Sequence, residues 1–269
     1  MNARQLYFVK PQQVEIREQQ LPSLQPGQVL IKNLYSGISA GTEMLVYRGQ
    51  LPQDMTLDAG LAAFEQQKID YPLQYGYACV GRIEEVGEGV DASCVGKTVF
   101  SFQPHASHHV CNIDSVIALP DGVDPKEAVF LANMETAVNL VQDGSPMLGE
   151  RVLVLGQGIV GLLVSSVLAE FPLACLYAVE SIDGRRALAD QAGVQATFSP
   201  DSVADINSLH EKLRINEADG GADVVFELTG APAALNLAVD HCAYSGRIVV
   251  GSWYGTKTAP INLGERFHR

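Results

Sequence analysis

The run Arg151-Val152-Leu153-Val154-Leu155-Gly156-Gln157-Gly158-Ile159-Val160-Gly161 decides the fold of this 269-residue chain. Its first five residues form a short apolar run bounded by glycine, the pattern of a buried strand. Residues 159–170 then read as an apolar helix. Three glycines at this spacing carry meaning only between a strand and a helix, and that is where they stand. Gly156 is expected to make the tight turn, Gly158 to let backbone approach a pyrophosphate, and Gly161 to let the helix pack closely. The backbone N–H groups around Gly158, Ile159, Val160 and Gly161 offer partial positive charge to phosphates. A dinucleotide is therefore the expected ligand.

Working outward, the next strand, 176–180, ends at Glu180, about 20 residues beyond the last glycine. A carboxylate there accepts from ribose hydroxyls and repels a 2′-phosphate, which favours NAD over NADP. Arg185 and Arg186 follow closely, and an arginine can receive that phosphate, so NADP stays as the weaker alternative. Residues 185–191, 203–213 and 231–241 read as helices, and 223–228 and 247–251 as strands. Strands alternating with helices signal a doubly wound parallel sheet. Phe226-Glu227-Leu228-Thr229-Gly230 and the turn from Gly251 through Trp253 to Gly255 fall at its carboxyl edge, where such folds bind ligands. Thr229, Gly230, Gly251 and Trp253 are expected beside the nicotinamide; the alternative is two ordinary turns.

Residues 1–120 read differently. Short runs at 6–10, 14–17, 28–35, 79–86, 97–102 and 115–119 alternate with Pro and Gly, which predicts a β-rich unit. Residues 52–70 form a polar, Gln-rich excursion with one short helix expected near 57–67. The change of style at Pro120-Asp121-Gly122 places a domain boundary there, giving units 1–120 and 121–269; residues 125–130 and 134–142 read as the first helices of the second.

Composition narrows the function classes. With 47% hydrophobic and 18% charged residues, a packed core is expected and wholesale disorder excluded. The formal net charge of −13 leaves no basic face for nucleic acid or an anionic membrane. No apolar run approaches the ~18 residues of a spanning helix. The five cysteines are scattered, with no CxxC, so neither a disulfide framework nor a zinc ribbon is expected. A cytoplasmic protein acting on a small molecule fits these facts.

Several segments, in order, resemble the medium-chain dehydrogenase/reductase (alcohol dehydrogenase-like) superfamily. Gly37-Ile38-Ser39-Ala40-Gly41-Thr42-Glu43 resembles its GxCGTD loop. Tyr75-Gly76-Tyr77-Ala78, followed by the stretch from Val80 to Gly87, resembles GHExxGxVxxVG, and Gly96-Lys97-Thr98-Val99 resembles GDRV. The glycine turn and Gly246-Arg247-Ile248-Val249-Val250-Gly251 complete the set. The resemblance implies an α/β protein: an N-terminal GroES-like β-barrel domain, a C-terminal doubly wound Rossmann domain, and an active site in the cleft between them. Family members continue further than Arg269, so the Rossmann domain is expected to be truncated, lacking its last strand and leaving a five-stranded sheet with an open edge. A homodimer is among the assemblies the resemblance admits.

The departures point away from zinc. The family's ligand positions fall on Ala40, Tyr77, Ala78 and Ala132, which make no ligand set. No metal is expected, and the chain resembles the branch that includes bacteriochlorophyllide a dehydrogenase and related zinc-lacking oxidoreductases. Without a Lewis acid, hydrogen-bond donors must stabilise the alkoxide of a hydride transfer. Thr42, at the family's Ser/Thr position, is expected to relay the proton. Tyr77 either presents its hydroxyl to the substrate or fills the volume of the missing metal. Glu135, near a helix start, is a candidate general acid or base if buried, and otherwise a helix-end partner. Glu43 is expected to support the loop. The run Pro104-His105-Ala106-Ser107-His108-His109 is read as strand residues, with His105 a candidate relay, rather than as a metal site. Tyr47, Tyr71, Tyr75, Trp253 and Tyr254 either line a cleft for a large or planar substrate or pack the core.

The leading expectation is a zinc-independent, NAD-dependent oxidoreductase acting on a hydroxyl or carbonyl. An NADPH-dependent quinone or enoyl reductase, and a truncated nucleotide-binding remnant without turnover, remain open beside it.

Overall fold

The structure, a computed structural model, describes residues 1–51, 70–264 and 266–268. The short helix expected near residues 57–67 lies outside them. The chain forms two compact units, Met1–Ala132 and Asn133–Arg269.

In the first unit, β1 (Asn2–Lys10) and β2 (Gln13–Gln20) form an antiparallel hairpin. A five-stranded antiparallel sheet contains β3 (Gln28–Ser36), β4 (Cys79–Val86), β5 (Thr98–Ser101), β6 (His108–Asn112) and β7 (Val116–Ala118), in the order β6-β3-β4-β5-β7. The helix α1 (Glu43–Arg48) follows the glycine-rich loop after β3. Val29, Ile31, Ile83, Val99 and Cys111 alternate along their strands to fill one core; Ala78, Val80 and Phe100 face another. The second core explains the boundary. Asp124 caps α2 (Pro125–Ala128), and Ala128, Val129 and Ala132 pack on Ala78, Val80 and Phe100. The unit therefore ends at Ala132 rather than at Pro120.

The second unit opens within α3 (Leu131–Gly144). It contains β8 (Arg151–Leu155), α4 (Ile159–Leu168), β9 (Cys175–Val179), α5 (Asp183–Gln191), β10 (Ala196–Phe198), α6 (Val203–Lys212), β11 (Ala222–Glu227), α7 (Ala233–His241) and β12 (Cys242–Val250). The sheet is wholly parallel, in the order β10-β9-β8-β11-β12. Chain direction along that order reverses at β8, so a crevice opens where β8 and β11 end. Val152, Val154, Val224 and Phe226 pack with Ala137, Val141, Val164 and Leu168 on one face. Leu153, Leu155 and Val225 pack with Leu209, Leu213 and Ala238 on the other. Both faces are covered, which is why these strands read as unbroken apolar runs. Among the described residues no helix is long and apolar enough to cross a membrane.

One buried group makes the first unit acid-sensitive. His109 Nε2 lies 3.1 Å from Ser101 Oγ, and Nδ1 has no hydrogen-bond partner among the described residues. Burial, aided by neighbouring His108, pushes its pKa down to about 4. The unfolded chain takes up this proton near pH 6.5 and the folded one only near pH 4. Stability is therefore full above pH 6.5 and is lost as pH falls from there towards 4, by on the order of 3 kcal/mol. Denaturant melts across this range should show that slope, and His109→Gln should flatten it. An unchanged slope in the variant would remove His109 as its source.

Candidate functional site

Two groups of residues stand out, one in each unit. In the second unit the glycine turn is built as its spacing predicts. Gly156 has φ +90°, closed to most side chains, and its missing Cβ would lie 2.9 Å from the Leu228 carbonyl. Leu228 N–H donates to Leu155 O, so the ends of β8 and β11 are tied at the crevice. Gly158 leads into α4 with open space around it, as close approach of a ligand requires. A Cβ at Gly161 would lie 2.0 Å from the Gly156 carbonyl oxygen, so only glycine lets helix and turn meet. Ile159 and Val160 supply the first residues of α4, whose unpaired N–H groups face outward from the turn's end of the helix.

Glu180 lies directly after β9 and is buried. Its Oε2 accepts the Gln157 N–H at 2.7 Å, and Oε1 accepts from Ile182 N–H at 3.0 Å and Ser181 Oγ at 3.3 Å. Arg185 Nη1 is 3.7 Å from Oε2, and Arg186 donates to the Glu180 carbonyl at 2.6 Å. The carboxylate thus holds the turn together before any ligand arrives. An ionised carboxylate has about four acceptor positions, so one further donor can be received. Gln157 reinforces the turn from below: its side chain is fully buried, donates to Gly156 O at 3.1 Å and accepts from Ser165 Oγ at 3.1 Å.

At the end of β11, Glu227 is fully buried. Its Oε1 accepts from Thr229 N–H at 2.7 Å and Thr229 Oγ1 at 2.5 Å, and Oε2 accepts from Tyr254 Oη at 2.6 Å. Burial, and the bond to Glu227, push the Tyr254 phenol upward, so it stays protonated and donating. Gly230 N–H donates to Ser252 Oγ at 2.8 Å, tying the Thr229–Gly230 turn to the turn after β12. Gly251, whose Cβ would meet Leu228 at 2.6 Å, and half-buried Trp253 belong to that second turn. Sequence reading took these segments as backbone turns and missed Glu227 as their organiser. A lone acidic residue in an apolar strand end was the available signal.

In the first unit, Tyr77 and Thr42 come together. Tyr77 Oη donates to Ser39 Oγ at 2.5 Å and lies 3.4 Å from Thr42 Oγ1. The loop carrying both hydroxyls is closed by Glu43. Its backbone N–H donates to Ser39 O at 2.8 Å, and its carboxylate Oε1 accepts Ser39 N–H at 2.7 Å. The three histidines do not converge. His105 meets Glu43 at 2.8 Å, His108 lies 3.7 Å from Glu84, and His109 faces Ser101. Strand alternation sends His108 and His109 to opposite faces.

Glu135 corrects an expectation. It is exposed on α3, so the burial that a general acid would need is not there. Tyr75 is wholly buried, Tyr71 donates to Val46 O and Tyr47 to Gln12 O, which makes these three packing residues. Tyr254 is engaged by Glu227.

The positions where the family pattern carries zinc ligands do not suit a metal ion. Ala40, Ala78 and Ala132 offer no donor atom, and Tyr77 is committed to two hydroxyls. Among the described residues no group of three or more His, Cys, Asp or Glu is arranged to hold one.

Comparison with known proteins agrees with this architecture. Residues 25–125 match the alcohol dehydrogenase GroES-like domain, and residues 160–268 match the zinc-binding dehydrogenase family model. The chain is 26% identical to (R,R)-butanediol dehydrogenase of Bacillus subtilis over 269 residues, covering 89% of this chain and 74% of that protein. It is 27% identical to L-threonine 3-dehydrogenase of Pyrococcus horikoshii over 280 residues, covering 92% and 75%. Among solved structures, 2R,3R-butanediol dehydrogenase from Bacillus subtilis superposes with a TM-score of 0.75 at 23% identity, covering 98% of this chain and 82% of that one. A short chain alcohol dehydrogenase from E. coli CFT073, complexed with NADH, gives 0.78 at 20% identity, covering 99% and 81%. Two units of these folds, in this order, with an intact glycine turn, make the chain a member of the medium-chain, NAD(P)-dependent dehydrogenase/reductase (alcohol dehydrogenase-like) superfamily.

Proposed function

We propose that the chain is a zinc-independent oxidoreductase moving a hydride between NAD(H) and a small molecule bearing a hydroxyl or carbonyl. The observation that carries this reading is the Tyr77–Ser39–Thr42 hydroxyl cluster, in which Tyr77 holds a position where the family pattern has a metal ligand. The named relatives act, by their names, on small alcohols, which supports the reaction class. Nicotinamide, when bound, supplies the hydride acceptor or donor.

The rest falls to the chain. The N–H groups from Gly158 to Gly161 would hold the diphosphate, and Thr229, Gly230, Gly251 and Trp253 would border the nicotinamide end. Glu180 would accept one ribose hydroxyl with its remaining acceptor position. Its charge opposes a 2′-phosphate, and Arg185 is drawn towards that same carboxylate, which together support NAD over NADP. On alcohol oxidation, Tyr77, turned from Ser39, would donate to the oxygen as negative charge builds on it, and Thr42 would pass the alcohol's proton on to water. Five free cysteines, with the Cys79 thiol pushed up to about 12 by burial, support a reducing, cytoplasmic setting.

The test is a coupled assay over a panel of small secondary alcohols, on protein dialysed against a strong chelator, with NAD⁺ and NADP⁺ in parallel. Turnover should survive dialysis, prefer NAD⁺, and fall by about a hundredfold in Tyr77→Phe, the scale of losing one oxyanion donor. Activity lost on chelation and restored by zinc would overturn the metal-free reading; preference for NADP⁺ would overturn the assignment to Glu180.

A further inference from the structure

We propose that Ser36 is an activated nucleophile, with His105 as its base and Glu43 orienting that base, and that it accepts acyl groups from activated esters. The proposed hydride transfer gives Ser36 no task, and His105, a candidate relay in the sequence, is turned to Ser36 and Glu43 instead. The geometry is that of a hydroxyl, an imidazole and a carboxylate in series. Ser36 ends β3 and is exposed. Its Oγ lies 2.9 Å from His105 Nδ1, and His105 Nε2 lies 2.8 Å from Glu43 Oε2. Both distances are in the range that couples a nucleophile to a base and a base to its orienting group.

The tautomer follows from the partners. A carboxylate only accepts, so the Nε2 facing Glu43 carries the proton. In the neutral ring Nδ1 is then a bare lone pair, and it is aimed at the Ser36 hydroxyl. Everything behind the serine is fixed. Glu43 is 4% exposed and its other oxygen is held by Ser39 N–H at 2.7 Å. The His105 carbonyl accepts Leu6 N–H of β1 at 3.0 Å. Gly76 makes room for the ring: a Cβ there would lie 2.7 Å from it. The imidazolium that forms when the serine gives up its proton faces a buried carboxylate that cannot turn away.

The reaction balances with an ester and water alone. Ser36 Oγ attacks the carbonyl carbon and forms a new C–O bond while its proton passes to His105 Nδ1. The bond to the leaving alcohol or phenol breaks, and that group departs with the proton. Water then attacks the acyl-serine by the same route, releasing the acid and restoring Ser36.

The experiment treats the whole protein with a fluorophosphonate and, separately, with p-nitrophenyl acetate, following intact mass, peptide maps and nitrophenol release. A single adduct on Ser36 is expected. Ser36→Ala should take none, and His105→Gln should label about a hundredfold more slowly, the size of a positioned general base. Both variants should bind NADH as the wild type does, so failure here is separable from failure of the nicotinamide reading. The wild-type labelling rate should also drop as the pH is lowered, because a protonated base cannot take the serine's proton, a reading that needs no variant. An unlabelled wild type, an adduct on Ser39 or another hydroxyl instead, equal rates in His105→Gln, or a rate indifferent to pH would each overturn the proposal.

Discussion

Gly161→Ala is expected to weaken NADH binding by about 30-fold or more and to lower the stability of the second unit by about 2 kcal/mol. The added Cβ would lie 2.0 Å from the Gly156 carbonyl oxygen, well inside any contact distance. That oxygen is backbone and cannot rotate away as a side chain would. It also accepts from the Gln157 side chain, while the Gln157 backbone N–H donates to Glu180. Relief therefore has to come from opening the turn, which displaces the N–H groups offered to phosphate and disturbs Glu180 together. Gly158→Ala is the control. Nothing lies within 4 Å of its missing Cβ and its φ is −72°, so the fold should tolerate it. Titrating NADH by fluorescence and melting both variants checks the contrast. Wild-type affinity in Gly161→Ala would show that the turn is not the phosphate cradle.

Glu227→Ala is expected to destabilise the second unit by about 3 kcal/mol or more. The substitution removes the wholly buried acceptor of the Thr229 N–H, the Thr229 hydroxyl and the half-buried Tyr254 hydroxyl, and leaves a void in its place. A buried donor costs about 1–3 kcal/mol when its partner is removed, and the half-buried Tyr254 hydroxyl contributes more of that than the exposed Thr229 groups. Tyr254→Phe deletes only one of the three bonds and should cost about half as much, although it leaves the carboxylate short of a donor. A double-mutant cycle in denaturant should give a coupling above about 1 kcal/mol. NADH affinity should fall in Glu227→Ala as well, because Thr229 and Gly230 lose the group that sets their turn. A cost below about 1 kcal/mol would mean that the turn holds its shape without the carboxylate.

The parts of the molecule legible in the chain are those whose causes are local. The β8 strand, the glycine turn and α4 follow one another within a single short segment, and each declares itself by apolar pattern or by glycine. The parallel sheet was legible because both of its faces are buried, so its strands are apolar without a break. One strand escaped: the three residues of β10 are too few to show a period. The boundary after Ala132 escaped because it depends on α2 packing against β4 and β5, not on the Pro-Asp-Gly turn that precedes it.

The amino-acid order alone determined the two kinds of unit, the glycine turn, the acidic residue that follows it and the absence of ligand-bearing side chains at Ala40, Ala78 and Ala132. Only the tertiary structure decided what the polar residues do. His105 reaches Glu43 across 62 positions and Ser36 across 69; Tyr77 finds Ser39 across 38; Glu227 is met by Tyr254 across 27. Glu135, equally plausible in sequence, is left in water. Periodicity reports which side chains leave solvent, since burial repeats with the backbone. A hydrogen bond between distant segments has no period, and its partners become visible only when the sheets have brought them together.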